Sequence, residues 1–158
     1  MTDSTDAPRP TSYLGIDGVL LRRRSGNLPA RDVFRVAQYA RHFIIWSLKH
    51  CDVRWLSSRC QAGDARDVCE ALRLAFALPE LPKSWQFIAN IPAARWERKK
   101  TDAMDLSGDS YWLDTDHGEE ALAVLTANGK TDRAIEVSID RDPKDLPRAT
   151  RILLQPSG

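Results

Sequence analysis

Short apolar runs alternate along this chain with stretches whose apolar residues recur at helical spacing. Residues 12–16 (SYLGI) form a compact apolar run closed by Gly18 and predict a first buried strand. Residues 21–29 (LRRRSGNLP) read as a loop or small flap. From Ala30 to about His50, Val33, Val36, Ala37, Ala40, Ile44 and Leu48 share one face, with Asn27 and Pro29 as start signals, and predict a helix. Residues 52–56 (DVRWL) predict a second strand that runs into Ser57-Ser58. From 64 to 76, Ala65, Val68, Cys69, Leu72 and Phe76 form the inner stripe of a second helix, followed by a proline-punctuated loop at 78–84. Residues 85–89 (WQFIA) predict a third strand, 95–105 a charged helix, and 110–114 (SYWLD) a fourth strand. A helix over 119–128 ends on Gly129 as its C-terminal cap, 134–139 (AIEVSI) is the last strand, and 145–155 a final helix.

Strands alternating with helices predict an α/β three-layer sandwich around a central, mostly parallel sheet with right-handed crossovers. The chain of 158 residues fits one domain over 11–158, preceded by a flexible leader at 1–10. In such sheets ligands bind beyond the carboxyl ends of the strands. Asp17, Ser57-Ser58 and Asp114-Asp116 all fall at such ends, so three strands deliver acids and hydroxyls to one edge.

Charge narrows the partner classes. Lys and Arg total 23 against 22 acids, a net +1 that gives no support to nucleic-acid binding. Arg95, Arg98, Lys99 and Lys100 form only a modest basic cluster broken by Glu97. Cys51, Cys60 and Cys69 include no CxxC pair and read as reduced thiols of a cytoplasmic protein. No apolar run approaches the length of a bilayer span, and the polar start lacks a signal-peptide core. His42, His50 and His117 have no metal-ligand spacing.

Taken in order, LGIDGVL, DVRWLSS, ERKKT and YWLDTD resemble the motifs of the haloacid dehalogenase-like (HAD) superfamily of phosphohydrolases. The likeness is greatest to a small capless bacterial group carrying Asp-x-Asp-Gly-Val-Leu and Trp-Leu-Asp-Asp, and it spans residues 12–155. The resemblance implies a Rossmannoid fold, a small flap after the first motif, and a magnesium site. It assigns Asp17 to the acid/base, with its backbone carbonyl toward magnesium. Ser57 matches the hydroxyl that binds the phosphoryl group, with Ser58 as fallback. Lys100 matches the charge-balancing lysine, with Lys99 one residue away. Asp114 matches the magnesium ligand, and Asp116 would act through a bound water. Gly15 falls on the nucleophile. A glycine neither attacks phosphorus nor ligates magnesium, so the aspartyl-phosphate route is closed and the metal site weakened.

Each of these residues also has a plain structural reading. Asp17 before Gly18 is a turn residue, Ser57-Ser58 a helix cap, Lys99 and Lys100 a solvated face, and Asp114-Asp116 a cap for the following helix. Arg22, Arg23 and Arg24 are either anion-gripping flap residues or surface charge. Three functions follow: a degenerate phosphohydrolase-fold pseudoenzyme binding a phosphate-like anion or a protein partner; a magnesium-dependent hydrolase in which Asp17 activates water directly; or an interaction module whose strand-end pocket has decayed. The intervals between motifs hold no large cap domain, which suits an extended ligand.

Overall fold

Thr11–Leu14 forms β1, and the computed structural model describes residues 8–23, 34–76 and 85–155. The chain continues through β2 (Leu21–Arg23), β3 (Phe34–Val36), α1 (Ala40–His50), β4 (Asp52–Trp55) and α2 (Arg66–Ala75). It then passes α3 (Trp85–Ala89), β5 (Ser110–Asp114), α4 (Glu119–Ala127), β6 (Ala134–Glu136) and α5 (Asp145–Leu153). The main sheet has the order β4-β1-β5-β6, with every pairing parallel. Leu14 pairs with Trp55 on one side and Leu113 on the other, so the three strands end level with one another. This is a three-layer α/β, Rossmann-like fold.

The layers follow from alternation along buried strands. Leu14, Val53, Trp55, Tyr111, Leu113 and Ile135 turn to one face, where they pack with Phe43 and Ile44 of α1, Val68 and Leu72 of α2, and Leu146 and Ala149 of α5. Tyr13 and Trp112 turn to the other, against Leu125 of α4 and the irregular segment bearing Ala94 and Met104. All five residues of β5 are buried, as befits an interior strand. The level strand ends and the two covered faces leave the carboxyl edge as the place where polar groups gather.

Several predicted elements take another form. The helix expected from 30 to 50 begins only at Ala40; of its predicted stripe, Val36 lies in β3, Ala37 lies just before a turn, and Val33 lies outside the described residues. Phe34–Val36 instead pairs antiparallel with Leu21–Arg23, a ladder whose aromatic and β-branched residues, Phe34 and Val36, favour extended backbone over a helix start. WQFIA is the helix α3, not a strand. A five-residue apolar run does not distinguish the two by periodicity, and here only Ile88 is buried while Phe87 is 59% exposed. The strand-like contact beside β4 is made further on, by a parallel bridge from Trp55 to Ala93. The charged stretch at 95–105 contains only a 3-10 turn, Lys100–Ala103. The last strand is regular only to Glu136, although the buried Val137 continues the ladder by donating to the Asp114 carbonyl at 2.9 Å. The 78–84 loop, the tip of the flap and residues 1–7 of the leader lie outside the described residues. The described end of that leader is tied down: the Arg9 guanidinium donates to the carbonyls of Leu48 and Cys51, and the Asp52 amide to that of Pro10.

The loop after β6 is fixed to α5 by Asp145, whose side chain is 6% exposed. Its carboxylate accepts from the Ser138 amide at 2.7 Å and from Arg148 Nε at 2.6 Å, while Arg148 also donates to the Glu136 carbonyl. Burial raises the Asp145 pKa, but Arg148 and the Ser138 amide outweigh it and hold the group below its ordinary value. The charged form is therefore favoured by folding: Asp145 stabilises the fold above the ordinary carboxylate range and loses that contribution as pH falls through its depressed value. Asp145→Asn is expected to cost about 1–2 kcal/mol at neutral pH and to flatten the acid limb of a urea-melt stability profile; an unchanged acid limb counts against this assignment.

Candidate functional site

Beyond Leu14 the chain climbs over the carboxyl edge of the sheet. The Gly15 amide donates to the Leu113 carbonyl at 2.8 Å, extending the β1–β5 ladder by one step. A Cβ on Gly15 would lie 3.1 Å from Asp114 Oδ1 and 3.1 Å from the Leu113 oxygen, so a side chain at 15 would point at Asp114. The chain then turns at Gly18, whose φ of +79° suits glycine. A Cβ there would come 2.4 Å from Thr115 Cγ2, which makes this a close approach between the loops after β1 and β5. The Ile139 amide donates to the Gly18 carbonyl at 2.9 Å and brings in the segment after β6.

Among the described residues, two close ion pairs occupy this edge. Asp17 is held by Arg59 through two bonds, Nε to Oδ2 and Nη2 to Oδ1, each 2.8 Å. Arg59 sits in a 3-10 turn, Ser58–Cys60, directly beyond β4, and the buried Ser57 Oγ accepts its amide at 3.2 Å as the cap of that turn. The bond to Asp17 raises the Arg59 pKa further above its ordinary value, so the guanidinium is permanently charged. The second pair joins Lys100 Nζ to Asp114 Oδ2 at 2.6 Å, with side chains 26% and 7% exposed. The other Asp114 oxygen accepts the Thr115 amide at 2.8 Å. A third, looser pair lies at the rim: Arg22 Nε is 3.6 Å from Asp140 Oδ1, both about half exposed.

Thus the structure brings Gly15, Asp17, Ser57, Lys100 and Asp114 to one edge. It separates the two lysines: Lys99 reaches Glu120 at 3.5 Å and takes no part in the Asp114 pair. Ser58 and Asp116 are exposed, and Asp116 Oδ1 accepts the Gly118 amide at 2.9 Å, a turn contact leading into α4. His117 is half-buried, with its ring edge-on to Trp112 and Nε2 3.0 Å from the Trp112 carbonyl. Of the three flap arginines, Arg22 makes the rim contact and Arg24 lies outside the described residues.

Arg59 and Asp140 are members of this edge that sequence reasoning passed over. Arg59 follows the Ser57-Ser58 pair directly, yet its partner lies 42 residues earlier, and nothing in local spacing points to it. The thiols are not nucleophile candidates. Burial pushes Cys51 up to about 11 and raises Cys60 and Cys69, which keeps all three protonated near neutral pH.

Chemically, the edge offers two close carboxylate–cation pairs that already match one another, with the looser Arg22–Asp140 pair at the rim. Both oxygens of Asp17 and both of Asp114 have donors within 2.8 Å. A magnesium ion needs carboxylate oxygens free to enter a near-octahedral shell. The side chains at this edge do not fit that ion, and no group of three or more His, Cys, Asp or Glu among the described residues is arranged to hold a metal. No helix among the described residues is long and apolar enough to cross a membrane. Comparison of the chain with family models, with curated proteins and with solved structures finds no match.

Proposed function

We propose that this chain is a HAD-like protein without the phosphotransfer step, which serves by binding a phosphate-like anion or a protein partner at the carboxyl edge. The observation that carries this reading is the pairing at the edge: a glycine stands where a side chain would face Asp114, and the nearby Asp17 is clamped by Arg59. The central β1, the hairpin of β2 and β3 that follows it, and the level ends bearing Asp17, Ser57 and Asp114 all support kinship with that superfamily. A nucleophile must be within reach of phosphorus, and an acid/base must be free to exchange a proton. Gly15 supplies no nucleophile, and Asp17 exchanges a proton only by giving up two charged hydrogen bonds.

In this reading magnesium is not a resident cofactor. Arg59 and Lys100 supply the positive charge that a metal would otherwise bring, and an anion would meet Lys100 and the Ser57 hydroxyl, which keeps its own proton to donate. That Cys51, Cys60 and Cys69 are all free thiols supports a reducing compartment, and with it a cytoplasmic reading.

The test is hydrolysis of an aryl phosphate with and without magnesium, on the wild type, Gly15→Asp and Gly15→Asp/Arg59→Ala. The wild type is expected to be silent in both conditions. Gly15→Asp is expected to melt lower than the wild type without metal, because two carboxylates then crowd one site, and to regain stability when magnesium is added. Turnover is expected only in the double variant, where Asp17 is released. Metal-dependent turnover by the wild type that Asp17→Asn abolishes would overturn the proposal in favour of direct water attack by an Asp17 base.

A further inference from the structure

On one face of the sheet, α1 and α5 pack side by side and leave a groove of about 490 Å³ between them. Its walls are almost wholly apolar, formed by Tyr39, Phe43 and Trp46 of α1 and its entry and by Pro147 of α5, with His42 and Arg151 at the lip. Phe43 is buried and serves as floor, whereas Trp46 is half-buried. The aromatics form a row along α1, with Phe43 and Trp46 centroids 6.4 Å apart and Trp46 and His50 4.9 Å apart. Leu154, directly after α5, is 59% exposed. Such a surface is more apolar than a solvated helix pair requires.

Among the described residues of the two helices, exposed charge has one sign. α1 carries Arg41 and Lys49 and no acid, with His42 and His50 as further hydrogen-bonding groups. In α5 the only acid is Asp145, which is buried and committed to Arg148 and the Ser138 amide, while Arg151 is exposed. The net charge of the whole chain is only +1, so this concentration of cations on one helix pair is local.

We propose that the α1–α5 groove is a docking site for an acidic segment of another protein, one that inserts leucine or aromatic side chains between Trp46 and Pro147 while its Asp or Glu residues meet His42 and Arg151. Aromatic side chains give large contact area at low entropic cost, and a half-buried tryptophan in a pocket is the usual form of a binding hot spot. Charge complementarity selects the acidic partner and rejects a basic one. A concave groove takes inserted side chains, whereas a bilayer surface calls for a convex or flat apolar face. This inference is independent of what the strand-end site does.

An array of short synthetic peptides tests it. Leu and Phe anchors are placed at helical and extended spacings with Glu between them, alongside a matched array with Lys in place of Glu. Binding of labelled peptides is read by fluorescence anisotropy on the full chain. Acid-flanked members are expected to bind saturably, more weakly as salt rises, and about tenfold or more weaker to Trp46→Ala. Arg151→Glu, a change at an exposed position, is expected to weaken them comparably without altering the melting curve. The proposal fails if no acid-flanked peptide binds, if the Lys array binds equally, or if Arg151→Glu has no effect. It fails also if phosphatidylserine vesicles bind more tightly than any peptide, or if the groove is consumed by self-association that Trp46→Ala abolishes.

Discussion

Lys100→Met is expected to lower the unfolding free energy by about 3–5 kcal/mol, because it leaves Asp114 charged, buried and without its cation. The Asp114 side chain is 7% exposed and its Oδ2 is bonded to Lys100 at 2.6 Å. Methionine retains most of the lysine stem, so lost packing contributes little and the missing charge dominates. The reverse change is milder. Asp114→Asn leaves Lys100 with a side chain 26% exposed, able to turn its ammonium to water, and costs about 1–2 kcal/mol. Combining the two is expected to recover more than half of the loss caused by Lys100→Met alone. Urea melts of the four proteins give the cycle, and strict additivity would show that the pair is not coupled as its geometry implies.

Gly18→Ala is expected to cost about 3 kcal/mol from two separable sources. A φ of +79° disfavours any L side chain by about 1–2 kcal/mol. The new methyl also meets Thr115 Cγ2 at 2.4 Å, an overlap that forces the loops after β1 and β5 apart at a further cost of about 1–3 kcal/mol. Thr115→Ser removes the methyl in the way without touching the backbone term. Gly18→Ala/Thr115→Ser is therefore expected to regain the steric part and keep the backbone part. A double variant no better than Gly18→Ala would show that the turn, and not the contact, carries the whole effect. The result matters for the site because this close approach joins the loops that follow Asp17 and Asp114.

Much of the architecture was legible from residues alone. The predicted runs at 12–16, 52–56, 110–114 and 134–139 contain β1, β4, β5 and β6: the interior β5 is buried throughout, whereas the edge strand β4 alternates, with Val53 and Trp55 buried and Asp52 and Arg54 exposed. The stripe through Val68 and Leu72 became α2 for the same kind of reason, a periodicity with one face to bury. Two segments misled. WQFIA is too short for its period to decide between strand and helix, and the packing of Ile88 settled it. Phe34–Val36 carries helical spacing toward Ala40, yet its partner is Leu21–Arg23, a pairing that local pattern does not encode. At the site, strand-end position pointed to Asp17, Ser57-Ser58 and Asp114-Asp116, and the structure gathers Asp17, Ser57 and Asp114 at one edge while Ser58 and Asp116 face solvent. Only the fold separated Lys100, on Asp114, from Lys99, on Glu120.

What the sequence by itself determined is the alternation of strand and helix, the strand ends where polar side chains collect, and the lack of a carboxylate at Gly15. These are consequences of periodicity and residue identity, which are written locally. The tertiary structure decided the rest: that Asp17 is clamped by Arg59, that Asp114 is neutralised by Lys100, that Asp140 joins the rim, and that α1 and α5 frame an apolar groove with a cationic lip. Ion pairing and groove formation depend on distances through space between segments far apart along the chain. Those distances are fixed when the parallel strands bring their carboxyl ends level and the helices pack across the sheet, and spacing along the chain does not carry them.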